Sequence, residues 1–515
     1  MFEPNQQLAP GSIFATFKDY ALKRRWAIGL LYFFTLILYL PKIANFSYSI
    51  DSELFVSNPR AMLTEWLGIG RFGLVALKRL FLIGTDLDSF FINTTTYFLL
   101  GTSAVLLVFL IDRQLGVTKI SVVLGLIYLS SPIHFEQTDF ILQSTEVTLA
   151  FVALFFAFIL MGQPTVKIKT KTFLTAIVIT TFSFSVYPSL ILGYLALAIL
   201  LNLIFFLSEK GSHVKLYVLS YLKFAMVFLA SVILYELLNF AVIHFLHVPK
   251  SSYITSAFGW GKESFGQTLA VLASTFKLNY LNLNPPFYLS LMTYSCILAV
   301  FVTFIKGTVS HRHYWPVIGD LLAGYVVSIS LLLMLGDYVG PVRTMTPSVP
   351  IILVGELLTI AWALKDSRIH SYVVLVFSLL IIFQSKITYD LEQTDILQYQ
   401  AASHFGDTLV EAIQKKGVRD FTQYQLVVVG KKTFTSPLSR DGDVIGNTSW
   451  NWDYLTSLSD SRRIQSFLNS QGYPFMPVDQ ESYDHAVRRA RSMSPYPANN
   501  SIYIGHKQIV VKLDN

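Results

Sequence analysis

Apolar residues fall in long runs over the first three quarters of the chain, at about 26–44, 91–111, 118–133, 147–162, 172–187, 189–207, 217–246, 286–305, 316–336, 347–364 and 371–387. A helix needs roughly 20 apolar residues to cross the hydrocarbon of a bilayer, so the runs predict about 11 transmembrane helices. The runs at 118–133, 147–162 and 172–187 are short, and 217–246 is long enough to tilt or to extend past the membrane. Beyond residue 388 the pattern becomes that of a soluble α/β unit. Residues 391–416, 459–472 and 479–493 read as helices, QLVVVG at 425–430 as a buried strand, and 501–513 as a hairpin turning at Gly505-His506. The predicted fold class is mainly α. It comprises a polytopic helical membrane domain over 1–387 and a small α/β domain over 388–515.

Charge placement orients this architecture. Only 14% of the 515 residues are charged and 53% are hydrophobic, whereas soluble domains carry about 25% charged residues. The net charge of +7 is no nucleic-acid footprint, because the basic residues sit largely in short loops between apolar runs. With the N-terminus inside, the inner loops carry Arg113 and Lys119; Lys167, Lys169 and Lys171; Lys210 and Lys215; Lys306 and Arg312; and Lys365 and Arg368. That bias follows the positive-inside rule and places the C-terminal domain outside the cytoplasm of a cell membrane. Lys18, Lys23, Arg24 and Arg25 precede a first run without a clear cleavage site, which reads as an uncleaved signal anchor. The single cysteine, Cys296, can form neither an internal disulfide nor a metal site.

No metalloprotease, P-loop, nucleophile-elbow or cysteine-cluster motif is present, so neither a soluble cofactor nor a metal is expected. Candidate chemistry lies in the outer loops. Asp51 and Glu53 follow the first run two residues apart, which puts both on one side of an extended segment and splays them in a helix. A partly desolvated carboxylate there could act as a general base. From spacing alone the favoured reading is helix capping by Asp51 or Ser52. The stretch Trp66–Phe81 reads as an interfacial helix carrying Arg71, Lys78 and Arg79 beside lipid phosphates. Arg71 and Arg343 could hold a phosphate, since a guanidinium offers a planar fork to its oxygens; anchoring at the interface is the alternative. The loop at 131–146 adds Glu136, Asp139 and Glu146, and the loop at 247–285 adds Tyr253, Trp260 and Lys262. Within the spans, Glu236, Asp320 and Glu356 suit either interhelical hydrogen bonds or a transport path. Trp450, Trp452 and Tyr454 form either a glycan-stacking surface or a core cluster.

The segments SIDSE, WLGIGRFGL, SPIHFEQTDFILQSTEV and the closing YPANNSIYIGHKQIVVKL, taken in order, resemble the bacterial and bacteriophage glucosyltransferase II (Gtr-type) family. The resemblance runs from about residue 26 to the end. It implies a GT-C type glycosyltransferase that takes a sugar, by family default glucose, from a polyprenyl-phosphate donor on the outer membrane face and passes it to a surface polysaccharide. A separate sugar-lipid synthase and a flippase are implied partners, with no nucleotide sugar used directly. The family's acidic first-loop motif falls on Asp51 and Glu53, followed by Trp66 and Arg71. With the resemblance included, Asp51 becomes the preferred general base and Glu53 the second. Arg71 and Arg343 become the donor-phosphate candidates, and Trp66, Glu136, Asp139 and Trp260 the acceptor or sugar contacts. A flippase for lipid-linked sugars and a non-catalytic polysaccharide-binding protein are the rival readings. No internal repeat supports the flippase.

Overall fold

The computed structural model describes residues 13–80, 88–116, 118–162, 169–208, 214–249, 251, 258–283, 287–310, 314–336, 341–365, 367, 370–452 and 457–514. Lys167, Lys210, Tyr253, Arg312, Arg368, Tyr454 and Phe81 lie outside the described residues. The chain begins with α1 (Ile13–Lys23), α2 (Arg25–Leu38) and α3 (Leu40–Ala44). The first loop then folds into α4 (Ser52–Ser57), α5 (Pro59–Gly68) and α6 (Phe72–Leu80). A series of apolar helices follows: α7 (Ser89–Leu115), α8 (Thr118–Ser130), the short α9 (Ile133–Thr138), α10 (Ser144–Met161), α11 (Thr170–Val186), α12 (Leu190–Leu207) and α13 (Val214–Phe245). After α14 (Phe265–Phe276) come α15 (Leu289–Ser310), α16 (Trp315–Leu335), α17 (Val349–Ala363) and α18 (His370–Lys415).

Each of the expected apolar runs falls on a helix. Among the described residues seven helices, α7, α10, α12, α13, α15, α16 and α18, are long and apolar enough to cross a membrane; α2, α8, α11 and α17 are shorter. The helices differ in what surrounds them. The side chains of α10, α12 and α17 are mostly buried against their neighbours. By contrast α13, α15 and α18 present Ile233, Phe240, Ile297, Phe301, Leu375 and Ile382 outward. An apolar belt of that extent on a helix bundle fits lipid, because monomeric soluble proteins rarely expose contiguous apolar patches of more than a few hundred Å². The protein is therefore a membrane protein.

The two ends of the bundle are chemically unlike. At one end Lys306 donates to the carbonyls of Trp362 and Ala363 at 3.3 and 3.2 Å, and Lys223 to that of Met161 at 2.5 Å, so basic side chains satisfy carbonyls at helix C-termini. At the other end lie α4–α6, the loop around α9 and the C-terminal unit. That unit is α/β: β1 (Gln425–Val429), α19 (Leu458–Ser470), α20 (Gln480–Ala490), β2 (Ile502–Gly505) and β3 (Gln508–Lys512). The sheet order is β1-β3-β2, with β1 parallel and β2 antiparallel to β3. The hairpin turns at His506-Lys507, one residue later than expected, because Gly505 still pairs with Gln508 and Lys507 takes the left-handed conformation at φ +59°.

The boundary expected at 387/388 falls inside α18, a continuous 46-residue helix. The C-terminal core also takes in Tyr48, Ile92 and Ile141 from the bundle side. Trp450 is a core residue, fully buried with its ring edge-on to Phe405 at 4.9 Å, whereas Trp452 is half-buried against Ile50, Phe140 and Val444.

Candidate active site

The first loop is shaped by its glycines and prolines. Asn58 caps α5 through Oδ1, which accepts from the Ala61 amide at 3.2 Å, and Pro59 occupies the first helical turn. In place of the single interfacial helix expected over 66–81, the chain breaks between α5 and α6. Gly70 has φ +81°, and its carbonyl accepts from the Tyr235 hydroxyl at 3.2 Å, so the phenol lies where a side chain at residue 70 would project. The break turns α6 inward. Lys78 is buried and pairs with Glu146 of α10 at 2.7 Å, away from any lipid phosphate, while Arg79 remains exposed. Trp66 is buried too, its ring stacked on Phe55 at 5.7 Å.

The expected carboxylate pair is held in an unexpected way. Asp51 occupies the N-cap position of α4, but its side chain makes no capping bond and its backbone is left-handed, with φ +74°. That conformation costs a residue with a Cβ roughly 1–2 kcal/mol. The side chain turns instead to Arg463 of α19, whose Nη1 donates to Asp51 Oδ1 at 2.9 Å and to Glu53 Oε1 at 2.6 Å. Asp51 keeps 33% of its side chain exposed, whereas Glu53 is wholly buried and Arg463 nearly so. Burial pushes the Glu53 carboxyl above its ordinary range, and Arg463 partly opposes this. Arg463 was not among the sequence-derived candidates. Its signal was its register: it lies four residues before the core residue Phe467, so it needs anionic partners where it is buried.

The two candidate phosphate ligands converge on one short turn. Arg71 Nη1 donates to Gln143 at 2.7 Å, and its guanidinium lies over the Tyr187 ring at 4.9 Å. The Arg343 guanidinium lies over Phe140 at 4.4 Å. Phe140 and Gln143 belong to the single turn between α9 and α10. Ile50, next to Asp51, packs on the same Phe140 together with Val444. The carboxylate pair, two arginines and a C-terminal loop thus meet at one end of the bundle.

Glu136 and Asp139 are buried where this junction is tied together. Glu136 accepts from the backbone amides of Asp443 at 2.6 Å and Val444 at 3.2 Å. Burial, and next the charge of Asp443, push the Glu136 carboxyl up to about 8. Asp139 accepts from Lys42 at 2.5 Å, and Lys42 also donates to Asp395 of α18 at 2.6 Å. Burial and then Asp395 raise Asp139 to about 7, against the opposing charge of Lys42. Trp260 stands elsewhere: it is 38% exposed, its Nε1 donates to the Leu333 carbonyl of α16 at 3.0 Å, and its ring leans on Phe265 of α14.

The carboxylates within the apolar runs have local partners. Asp320 accepts from Tyr217 at 2.5 Å and also from Tyr221, and Glu356 accepts from Ser295. Asp320 and Glu356 line one narrow crevice between α12, α16 and α17, whereas Glu236 is exposed on the outer side of α13. Among the described residues no group of histidine, cysteine and acidic side chains is arranged to hold a metal ion.

A helical membrane protein with an arginine-bridged carboxylate pair at one end of its bundle is the class these observations define. The chain belongs to the Glucosyl transferase GtrII family, whose model matches residues 40–389, and it is accordingly a glycosyltransferase. No match was found among curated proteins. The matched span holds Asp51, Glu53, Arg71, Glu136, Asp139 and Arg343 and ends within α18; Arg463 and the sheet lie beyond it.

Proposed function

We propose that the protein transfers a glucosyl unit from a polyprenyl-phosphate donor to a cell-surface polysaccharide, in a GT-C type reaction at the outer face of the cell membrane. The observation that carries this reading is the part-exposed Asp51 carboxylate, set in the first loop of a glucosyltransferase-family chain and paired with Arg463. Asp51 accepts the proton of an acceptor hydroxyl as that oxygen attacks the anomeric carbon. The bond from that carbon to the phosphate oxygen breaks, and its electron pair leaves with the polyprenyl phosphate. Arg71 and Arg343 stabilise the charge gathering on the departing phosphate, as preorganised cations do in a site shielded from water. A single displacement of this kind inverts the anomeric centre. The lipid phosphate is already a leaving group, so base, cationic clamp and alignment suffice without a metal.

In this reading the chain crosses the membrane eleven times, with the unit beyond residue 387 outside, where it covers the site. The basic inner-loop residues and the position of the C-terminal unit at the opposite bundle end support that orientation. A sugar-lipid synthase and a flippase supply the donor. The test is transfer by the purified protein in lipid vesicles with polyprenyl-phosphate glucose and an acceptor glycan. Glucosylated acceptor is expected. Movement of the sugar lipid across the vesicle without transfer would favour a flippase, and glycan binding without either would favour a recognition protein.

A further inference from the structure

The cation that bridges the two candidate carboxylates comes from the C-terminal unit, 410 positions along the chain from Glu53 and outside the span matched by the family. We propose that Arg463 is a positioning residue of the transfer site and that the carboxylates have separate tasks: Asp51 takes the acceptor proton, and Glu53 holds Arg463. This rests on the reading of Asp51 as general base.

Accessibility separates the two tasks. Glu53 has no exposed side-chain surface, one of its oxygens is bound to Arg463, and the other is buried without a hydrogen-bond partner. An acceptor hydroxyl therefore has no route to Glu53. Asp51 spends Oδ1 on Arg463 and keeps a third of its side chain exposed, which leaves Oδ2 for the proton.

The arrangement is also over-determined on the C-terminal side. Ser457 caps α19 by accepting from the Asp460 amide at 3.0 Å. Ser461 ties the helix to β1 by accepting from the Val428 amide at 3.0 Å, and Ile464, Phe467 and Leu468 fill the core beneath it. At the far end of α19, Ser470 shares a hydrogen bond with Tyr48. Arg463 is thus presented from a helix tied near its start to β1 and at its far end to Tyr48 of the first loop, and docking of the C-terminal unit completes the site. The groups facing the pair among the described residues are Arg463 from α19 and, against Glu53, the Tyr48 phenol from the segment before α4.

The experiment is steady-state transfer by full-length protein in lipid, with polyprenyl-phosphate glucose and acceptor glycan, kcat and KM being read separately. Wild type is compared with Asp51→Asn, Glu53→Gln, Arg463→Lys and Arg463→Gln. Arg463→Gln removes the cation that holds Asp51 in place and is expected to lower kcat by up to about 10²-fold with donor and acceptor KM changed far less, since a misplacement of about 1 Å costs that much. Arg463→Lys keeps a positive charge and should restore part of that kcat. Glu53→Gln should lose less than Asp51→Asn. If Arg463→Gln does not fold, the Arg463→Gln, Glu53→Gln double variant removes the buried charge with its partner and must show the same loss of kcat. An unchanged kcat in folded Arg463→Gln, a loss confined to KM, or a loss that Arg463→Lys does not relieve would reduce Arg463 to a structural contact and overturn the proposal. Transfer by Asp51→Asn at the wild-type rate would overturn the general-base reading itself. Loss in Asp51→Asn with an unchanged kcat in Arg463→Gln would overturn only the part assigned to Arg463.

Discussion

Glu136 offers a test of how the C-terminal loop is clamped to the bundle. Its two oxygens satisfy the backbone amides of Asp443 and Val444, with Glu136 and Val444 buried and Asp443 half-buried. Glu136→Ala removes the acceptor and leaves two N–H groups unsatisfied. Each such loss costs about 1–3 kcal/mol, or about 2–6 kcal/mol together. The lower bound corresponds to about a thirtyfold change in an equilibrium, at 1.4 kcal/mol per factor of ten. Hydrogen exchange of the two amides in the reconstituted protein should therefore accelerate by at least about thirtyfold. The carboxyl adds a pH signature. Its folded pKa, about 8, lies above the ordinary value of 4.5, so its contribution to stability is complete below the ordinary value and is lost as pH rises through about 8. After correction for intrinsic exchange, protection at Asp443 and Val444 should fall between the ordinary value of 4.5 and about 8 in the wild type and level off above that. Glu136→Gln, which cannot ionise, should abolish that dependence. Unchanged exchange in Glu136→Ala would refute the clamp.

Two other substitutions probe the first loop. Gly70→Ala forces a side chain into a left-handed position against the Tyr235 phenol, at a cost of at least about 1–2 kcal/mol, and should lower the apparent unfolding temperature in detergent by about 1–2 °C or more. Lys78→Met strands the buried Glu146 carboxylate and should cost about 3–5 kcal/mol, whereas adding Glu146→Leu should recover most of that loss; urea unfolding followed by tryptophan fluorescence measures both.

The helices and strands were legible because both rest on local pattern. Each apolar run became a helix, QLVVVG became β1, and Asp51 and Glu53 proved to be adjacent partners of one charged group. The connections between distant segments were not legible. Lys42 sits near the end of the first apolar run, and its partners Asp139 and Asp395 lie 97 and 353 positions away. Arg463 lay in a stretch that looked like an ordinary amphipathic helix of a separate domain. A buried cation declares itself only once a helix has been docked, and nothing in local periodicity says which carboxylates it will meet. The interfacial reading of 66–81 failed for a related reason. Basic residues on an apolar helix suit a membrane surface, but the kink at Gly70 delivers Lys78 to Glu146 instead.

The most direct measurement is the single-turnover rate of glucosyl transfer by Asp51→Asn in lipid, with donor saturating and folding verified by unchanged Asp443 and Val444 exchange. Loss of a general base lowers such a rate by about 10²–10⁴-fold, and a loss in that range is expected here. A rate within tenfold of wild type would show that the acceptor proton leaves by another route and that the first-loop carboxylate is not the centre of the chemistry.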